Sequence, residues 1–317
     1  MNIGKLMLAL VLCIASMHAQ FPDRVGMPDC DAIPADQIGL KWGVSCAISP
    51  GFISIADPSK GIVSVDDATF AIGPADNEVV SLGDGGSVTM TFQQPITDGP
   101  GVDFAVFENA FDDYFLEFAF VEVSSDGQTF IRFPAISLTQ TIQQIGPFMR
   151  IPDVRAIHNL AGKYRGGYGT PFDLAQLKDS IGLDIHSITH VRIVDVIGSI
   201  DARYARRDSR GMMINDPWPT PFSSCGFDLD GIAVINEKHI MKQEMSFAPN
   251  PIHAGEQGGI VQVLDDANDV SVFTMQGEYI REGKDGFIQT EGLPGGVYIV
   301  RGTHEGQLRS GMLMIIP

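Results

Sequence analysis

The chain has 317 residues, 44% of them hydrophobic, and a formal net charge of -18. That apolar content excludes disorder as the ground state. The acidity excludes nucleic acid as a partner, because phosphates need a basic face.

Taken in chain order, Lys5, an apolar run over 6–15 and Ser16-Met17-His18-Ala19 follow the three-part plan of a secretory signal, with cleavage after Ala19. The run is too short to cross a bilayer and no other stretch is apolar enough, so no transmembrane segment is expected in the mature chain. Residues 20–60 are interrupted by Pro22, Pro28, Pro34, Pro50 and Pro58 and read as irregular. Cys30 and Cys46 fall in this segment, and export leaves open whether they pair. Cys225 is then left over, as a small buried residue rather than a nucleophile. Strands are predicted at 61–65, 78–82, 87–92, 103–108, 115–124 and 129–133, from period-two alternation or short apolar runs between turns. Residues 134–185 read as a long excursion with a short helix over 171–178, capped near Thr170. Strands resume at 187–196 and 227–235, on either side of a polar loop over 198–225. The fold class is all-β: a jelly-roll-like β-sandwich over 61–236, a linker at 237–243, and a small Ig-like β-sandwich over 244–317.

Three stretches carry a resemblance. Phe247-Ala248-Pro249-Asn250-Pro251, the 270–277 strand Val-Ser-Val-Phe-Thr-Met-Gln-Gly and Leu293-Pro294-Gly295-Gly296-Val297-Tyr298 resemble the C-terminal sorting domain of proteins exported by the type IX secretion system of Bacteroidota. That resemblance implies that 244–317 is an address engaging the type IX machinery, and that function lies upstream. Val121-Glu122-Val123-Ser124-Ser125-Asp126-Gly127 and Cys225-Gly226-Phe227-Asp228-Leu229-Asp230-Gly231-Ile232 resemble hairpin and closing-strand motifs of galactose-binding-like jelly rolls, a superfold that includes carbohydrate-binding modules. Residues 60–236 are also similar to an uncharacterised family of bacterial cell-surface proteins. In carbohydrate-binding modules an Asn of the closing strand commonly touches sugar. Asp228 stands at that position here.

The chemistry-bearing residues are mostly acids and aromatics. Residues 21–144 hold 18 Asp and Glu against 4 Lys and Arg, either a solvated surface or a supply of carboxylates for calcium, a hard cation that takes about 6–8 oxygen ligands. Alternation puts Phe104, Val106 and Glu108 on one strand face and Asp103, Ala105 and Phe107 on the other. Glu108 then points with apolar neighbours and needs a partner. An arginine from 192–210 is one solution; a calcium site joining Glu108 with Asp84, Asp103, Asp228 or Asp230 is the other. Trp218, Tyr164 and Tyr168, with Trp42 and Tyr204, are aromatic faces able to stack on a pyranose or to act as lids over the sandwich end.

Enzyme signatures are absent: there is no G-x-S-x-G elbow, H-E-x-x-H helix, P-loop or G-x-G-x-x-G unit. The expectation is a secreted or surface-displayed non-catalytic binder, of glycan through sandwich-end loops, with calcium as a possible ion. A surface polysaccharide hydrolase using paired carboxylates and a purely structural or adhesive protein are the alternatives.

Overall fold

The structure, a computed structural model, describes residues 21–64, 67–238, 245–248, 250–253, 259–263, 268–304 and 307–317. The signal expected at 1–19, most of the 237–243 linker and Pro249 lie outside the described residues. The chain divides into two compact units, Met1–Lys238 and His239–Pro317.

The first unit contains β1 (Ile33–Pro34), β2 (Lys41–Trp42), β3 (Ser45–Ser49), β4 (Val80–Ser81), β5 (Ser87–Ile96), β6 (Phe104–Glu108) and β7 (Ala119–Ser124). It continues with β8 (Ile131–Arg132), β9 (Ile136–Ser137), β10 (Ile157–His158), β11 (Leu160–Ala161), β12 (Tyr168–Phe172), β13 (Ile188–Asp195) and β14 (Asp228–Val234). One sheet runs β1-β12-β6-β14-β2, with β4 also on β14; the other runs β11-β7-β13-β5-β3, with β8 on β7. From β4 to β7 and from β11 to β14, successive strands alternate between the two sheets. That is the jelly-roll manner of closing a sandwich.

Val88 and Met90 of β5, Phe104 and Val106 of β6, Val121 and Val123 of β7, and Val191 and Ile193 of β13 meet between the sheets in one buried core. The outer faces are covered as well. Ala105 and Phe107 lie under Ile33, Ala35, Leu40, Trp42 and Ala75. Phe120 lies among Ile145, Ile151, Val154, Ile157 and Leu160. This double burial explains why 115–124 reads as an almost continuous apolar run rather than a half-polar alternation.

The second unit contains β15 (Phe247–Ala248), β16 (Ile252–His253), β17 (Ile260–Val263), β18 (Asn268–Thr274), β19 (Tyr279–Glu282), β20 (Phe287–Gln289), β21 (Gly296–His304) and β22 (Gln307–Ile316). Its sheets run β15-β17-β20 and β16-β22-β21-β18-β19, around a core including Val261, Val272, Ile288, Val300 and Leu313.

Several expectations are corrected. The segment 20–60 is not irregular throughout: β3 pairs with β5 and β2 with β14. β1, which pairs with β12, is the one strand here that contains a proline, Pro34, and like β2 and β3 it lies at a sheet edge, where a missing donor costs no ladder bond. The strand expected at 61–65 is reduced, among the described residues, to a bridge between Phe52 and Ile62. The helix expected over 171–178 is β12 followed by a 3-10 turn, Leu174–Leu177, capped by the Asp173 side chain rather than near Thr170. Cys30, Cys46 and Cys225 are free thiols, and the Cys46 Sγ donates to Ala68 O.

Phe104 is fully buried and its ring stacks on Phe172 and meets Phe133 edge-on. Phe104→Ala should therefore destabilise the first unit by about 3–5 kcal/mol, read as a lower denaturation midpoint at unchanged slope. A loss below about 1 kcal/mol would contradict this placement of the core.

Candidate functional site

The acids of the first unit gather in two places, at opposite ends of β6. Glu108 closes that strand and Asp103 immediately precedes it. A strand rises about 3.3 Å per residue, so the two carboxylates sit roughly 16 Å apart and cannot share one ion. A calcium ion held by Glu108 and Asp103 together is therefore excluded.

At the Glu108 end, the arginine solution fails as well. Arg192 is directly across from Glu122 on β7, and Arg132 pairs with the same residue from the other side. Both guanidinium groups bind the Glu122 carboxylate. Glu108 is 3% exposed and, among the described residues, receives a single hydrogen bond, from Ala110 N to Oε2 at 2.9 Å. The charged groups that act on it are all acids. Burial, then the charges of Glu117, Asp228 and Asp230, hold its carboxyl well above the usual range. Glu117 is raised the same way, by burial and then by Asp228, Asp195 and Asp84.

The remaining acids here serve loop backbones. Asp195 accepts from Gly85 N at 2.8 Å and Phe227 N at 2.9 Å, and burial still lifts it to about 7. Asp84 accepts from Ile55 N and from Trp218 Nε1. Asp216 accepts from Phe118 N, and burial raises its carboxyl well above the usual range. Gly198, at φ 79, is needed beside it: a Cβ there would lie 1.6 Å from Asp216 Oδ1. Asp230 takes the amides of Asp76 and Asn77. Asp228 is lifted to about 6 by burial, against a bond from the Ser81 side chain, and its buried Oδ1 has no hydrogen-bond partner. The β14–β6 ladder carries a register shift between Leu229 and Gly231.

At the other end of β6, one oxygen each from Asp98, Asp103 and Asp173 lie within 4.8 Å of one another. Asp103 is fully buried and held by Gly99 N, Leu174 N and Asn236 Nδ2. Asp173 caps the 3-10 turn through Ala175 N. Asp98 Oδ1 is buried without a hydrogen-bond partner. Two oxygens that each lie about 2.4 Å from a calcium ion can be no more than about 4.8 Å apart, so this spacing suits that cation. Of the four acids proposed as metal ligands, only Asp103 belongs to such a group.

The aromatic candidates separate. Tyr164 is 1% exposed, with its hydroxyl bonded to Asp31. It is a core residue, not a ligand platform, because the N-terminal segment closes over it. Tyr168 is half-buried, with the Arg165 guanidinium 5.2 Å from its ring centre. Trp218 is half-buried against Tyr204, at 5.9 Å, with its N–H committed to Asp84. Cys225 is inert: burial pushes its thiol up to about 12.

Sequence reasoning missed Glu117, Asp98, Asp173, Asp195 and Asp216. Asp195 was within reach, because it continues the inward series Val191, Ile193 and is therefore an acid at a core position. The others sit in loops, where no period applies.

No protein-family model matches the chain, and no curated protein matches it. Among solved structures, one described as "Biofilm associated protein - BSP domain" aligns at 9% identity and a TM-score of 0.18, covering 89% of this chain and 53% of that one. The chain thus spans about half the length of that structure, and a likeness at this score carries no functional argument.

Asp195, Asp228 and Asp230, near 7, 6 and 6, bind protons more tightly folded than unfolded, where 3.8 is ordinary. Their contribution to stability is complete below about pH 4 and is lost as pH rises through 6–7. Asp126 and Asp201, held low by hydrogen bonds, are ionised in both states above about pH 5 and add no slope there. His158, lowered by burial, opposes the trend below about pH 6.5, but Glu108, Glu117 and Asp216, raised by burial, add to it. In chelator, the melting temperature of the first unit should fall from about pH 5 to pH 8, and Asp228→Asn should flatten the fall. A rise over that interval would exclude these protonations.

Proposed function

We propose that this chain is an exported surface protein whose sandwich unit binds calcium and recognises glycan without catalysing a reaction. The observation that carries it is the meeting of Asp98, Asp103 and Asp173 around one point, with the buried Asp98 Oδ1 lacking a donor. A cation would supply that oxygen's missing partner. It would also offset the repulsion that Asp98 adds to the burial-raised Asp103. Calcium suits this donor set better than a transition metal, because every side-chain ligand is a hard carboxylate oxygen.

Export is read from the signal-like N-terminus and from the resemblance of 244–317 to type IX sorting domains, which makes the type IX machinery the partner of the second unit. The glycan reading is supported by the sandwich fold and by the motif resemblance of its hairpin and closing strand. Among the described residues no helix is long and apolar enough to cross a membrane.

Calcium at 100 times its Kd should stabilise the first unit by about 2.7 kcal/mol, seen as a higher melting temperature that a chelator reverses. Asp98→Asn is the variant of choice, because Asp103 and Asp173 also hold backbone amides. It should abolish the calcium shift while leaving the calcium-free melting temperature nearly unchanged. No shift in the unaltered protein would remove calcium from the reading. Deleting 244–317 should trap the protein in the periplasm of a host that carries the type IX machinery; surface display of the truncated chain would refute the sorting role.

A further inference from the structure

We infer that the loops at 110–115, 140–151 and 198–222 form a surface that settles on an anionic, phosphate-bearing lipid bilayer, with apolar tips entering its interface. The inference is independent of the glycan and calcium readings, and draws on export only for the place where such a bilayer is met. The three loops are tied into one body. Ile151 N donates to Tyr114 O and Trp218 N to Ile145 O, and the Arg150 guanidinium pairs with Asp112. The Asn215 carboxamide donates to the carbonyls of Gln140 and Gln143, on either side of Ile142. The Phe148 and Phe222 rings, from two of the loops, lie 5.8 Å apart between centres.

What these loops present is apolar and unshielded. Ile142 is 95% exposed, Phe111 86% and Phe148 75%, and Phe222 is exposed beside Phe148. Ile38 and Ile181 are as open, but each stands singly in a stretch with acids, Asp36 for one and Asp179 and Asp184 for the other. Lone exposed apolar residues are ordinary on a soluble surface; four on loops bonded to one another are not. A protein partner buries a closely packed patch of matching shape. Side chains that stand this clear of their neighbours suit a fluid layer that closes round them, at the boundary of headgroups and acyl chains.

Charge decides the kind of bilayer. A chain of net charge -18 is repelled by an anionic surface unless one face is relieved of its acids. In these loops every exposed or half-buried carboxylate is met: Asp112 by Arg150, Asp113 by Arg165 and Asp201 by Arg203. Asp208 is met by Arg210, Asp216 is buried, and 140–151 contains no acid. Arg206 acts on Asp84 and Asp195. Arg207 is then in surplus: it is exposed, its guanidinium donates to the Gly211 carbonyl, and it has no ion pair among the described residues. A guanidinium beside apolar tips is suited to lipid phosphate, which it can bond bidentately. Its attraction to an anionic membrane fades within a Debye length, so the binding is salt-sensitive.

The test is co-sedimentation of the full chain with vesicles of equimolar phosphatidylcholine and phosphatidylglycerol. Chelator is present, so that no calcium can bridge carboxylates to phosphates. The unaltered chain should bind, less in high salt and less still to phosphatidylcholine alone. Phe111→Ser combined with Phe148→Ser should weaken binding by about ten-fold or more. The melting temperature should not change, because both side chains are exposed. Arg207→Glu should weaken binding several-fold, on the equimolar vesicles only. In Phe148→Trp the added emission should move to the blue on the vesicles, as entry into the interface produces and adhesion by charge alone does not. Absence of binding, or binding indifferent to the two phenylalanines, overturns the inference. So does a dimer in solution that the double serine variant dissociates, since a second copy would then cover the tips.

Discussion

The first unit depends on one constraint, that β6 and β7 are buried on both faces. A strand with two apolar faces needs two covers, and a two-layer sandwich offers only one. The second cover must come from chain outside the sheets. Over β6 it is the N-terminal segment, through Ile33, Leu40 and Trp42; over β7 it is the 134–160 excursion, through Ile145, Ile151 and Ile157. These stretches have little regular structure because they lie as lids, held by side chains more than by ladders.

The irregular loops that join the strands raise a second problem. Their N–H groups are enclosed and find no strand partner, and an unsatisfied buried amide is costly. The protein meets this with carboxylates. Asp84, Asp195, Asp216 and Asp230 accept from loop amides at one end, Asp103 at the other, and Asp208 fastens Ser137 N and Met212 N between them. Each acid ties together segments far apart in the chain. Burial raises Asp195, Asp216 and Asp230 as a consequence, so their pKa shifts are structural in origin. The acids that stand out are those with too few donors: Asp98 and Asp228, each with an orphaned oxygen, and Glu117, which receives no hydrogen bond among the described residues. A ligand or a proton has most to offer at these groups.

Legibility in the sequence followed the same division. Period-two alternation correctly placed Phe104 and Val106 inward and Ala105 and Phe107 outward, and with them the direction of Glu108. It could not name a partner for Glu108. Arg192 was a reasonable candidate by charge, but sheet register set it opposite Glu122, and register is a property of two strands rather than one. The candidate cation site was legible only in part: Asp103 was named, while Asp98 and Asp173 were loop residues without a pattern. Tyr164 misled because its Gly-rich surroundings suggested an exposed loop, and nothing local records that Asp31 folds over to bond it.

By itself the sequence determined that the chain is all-β, where its apolar faces lie, and which strands carry an acid inward. These properties depend on side-chain order over five to ten residues, which local sterics and burial translate directly into strand geometry. Only the tertiary structure decided which acids converge and which aromatics are buried as covers. Those outcomes depend on register and on loops brought together from positions such as 98, 103, 173 and 236. Contacts of that range cost chain entropy, and the folded core as a whole stabilises them rather than any local motif.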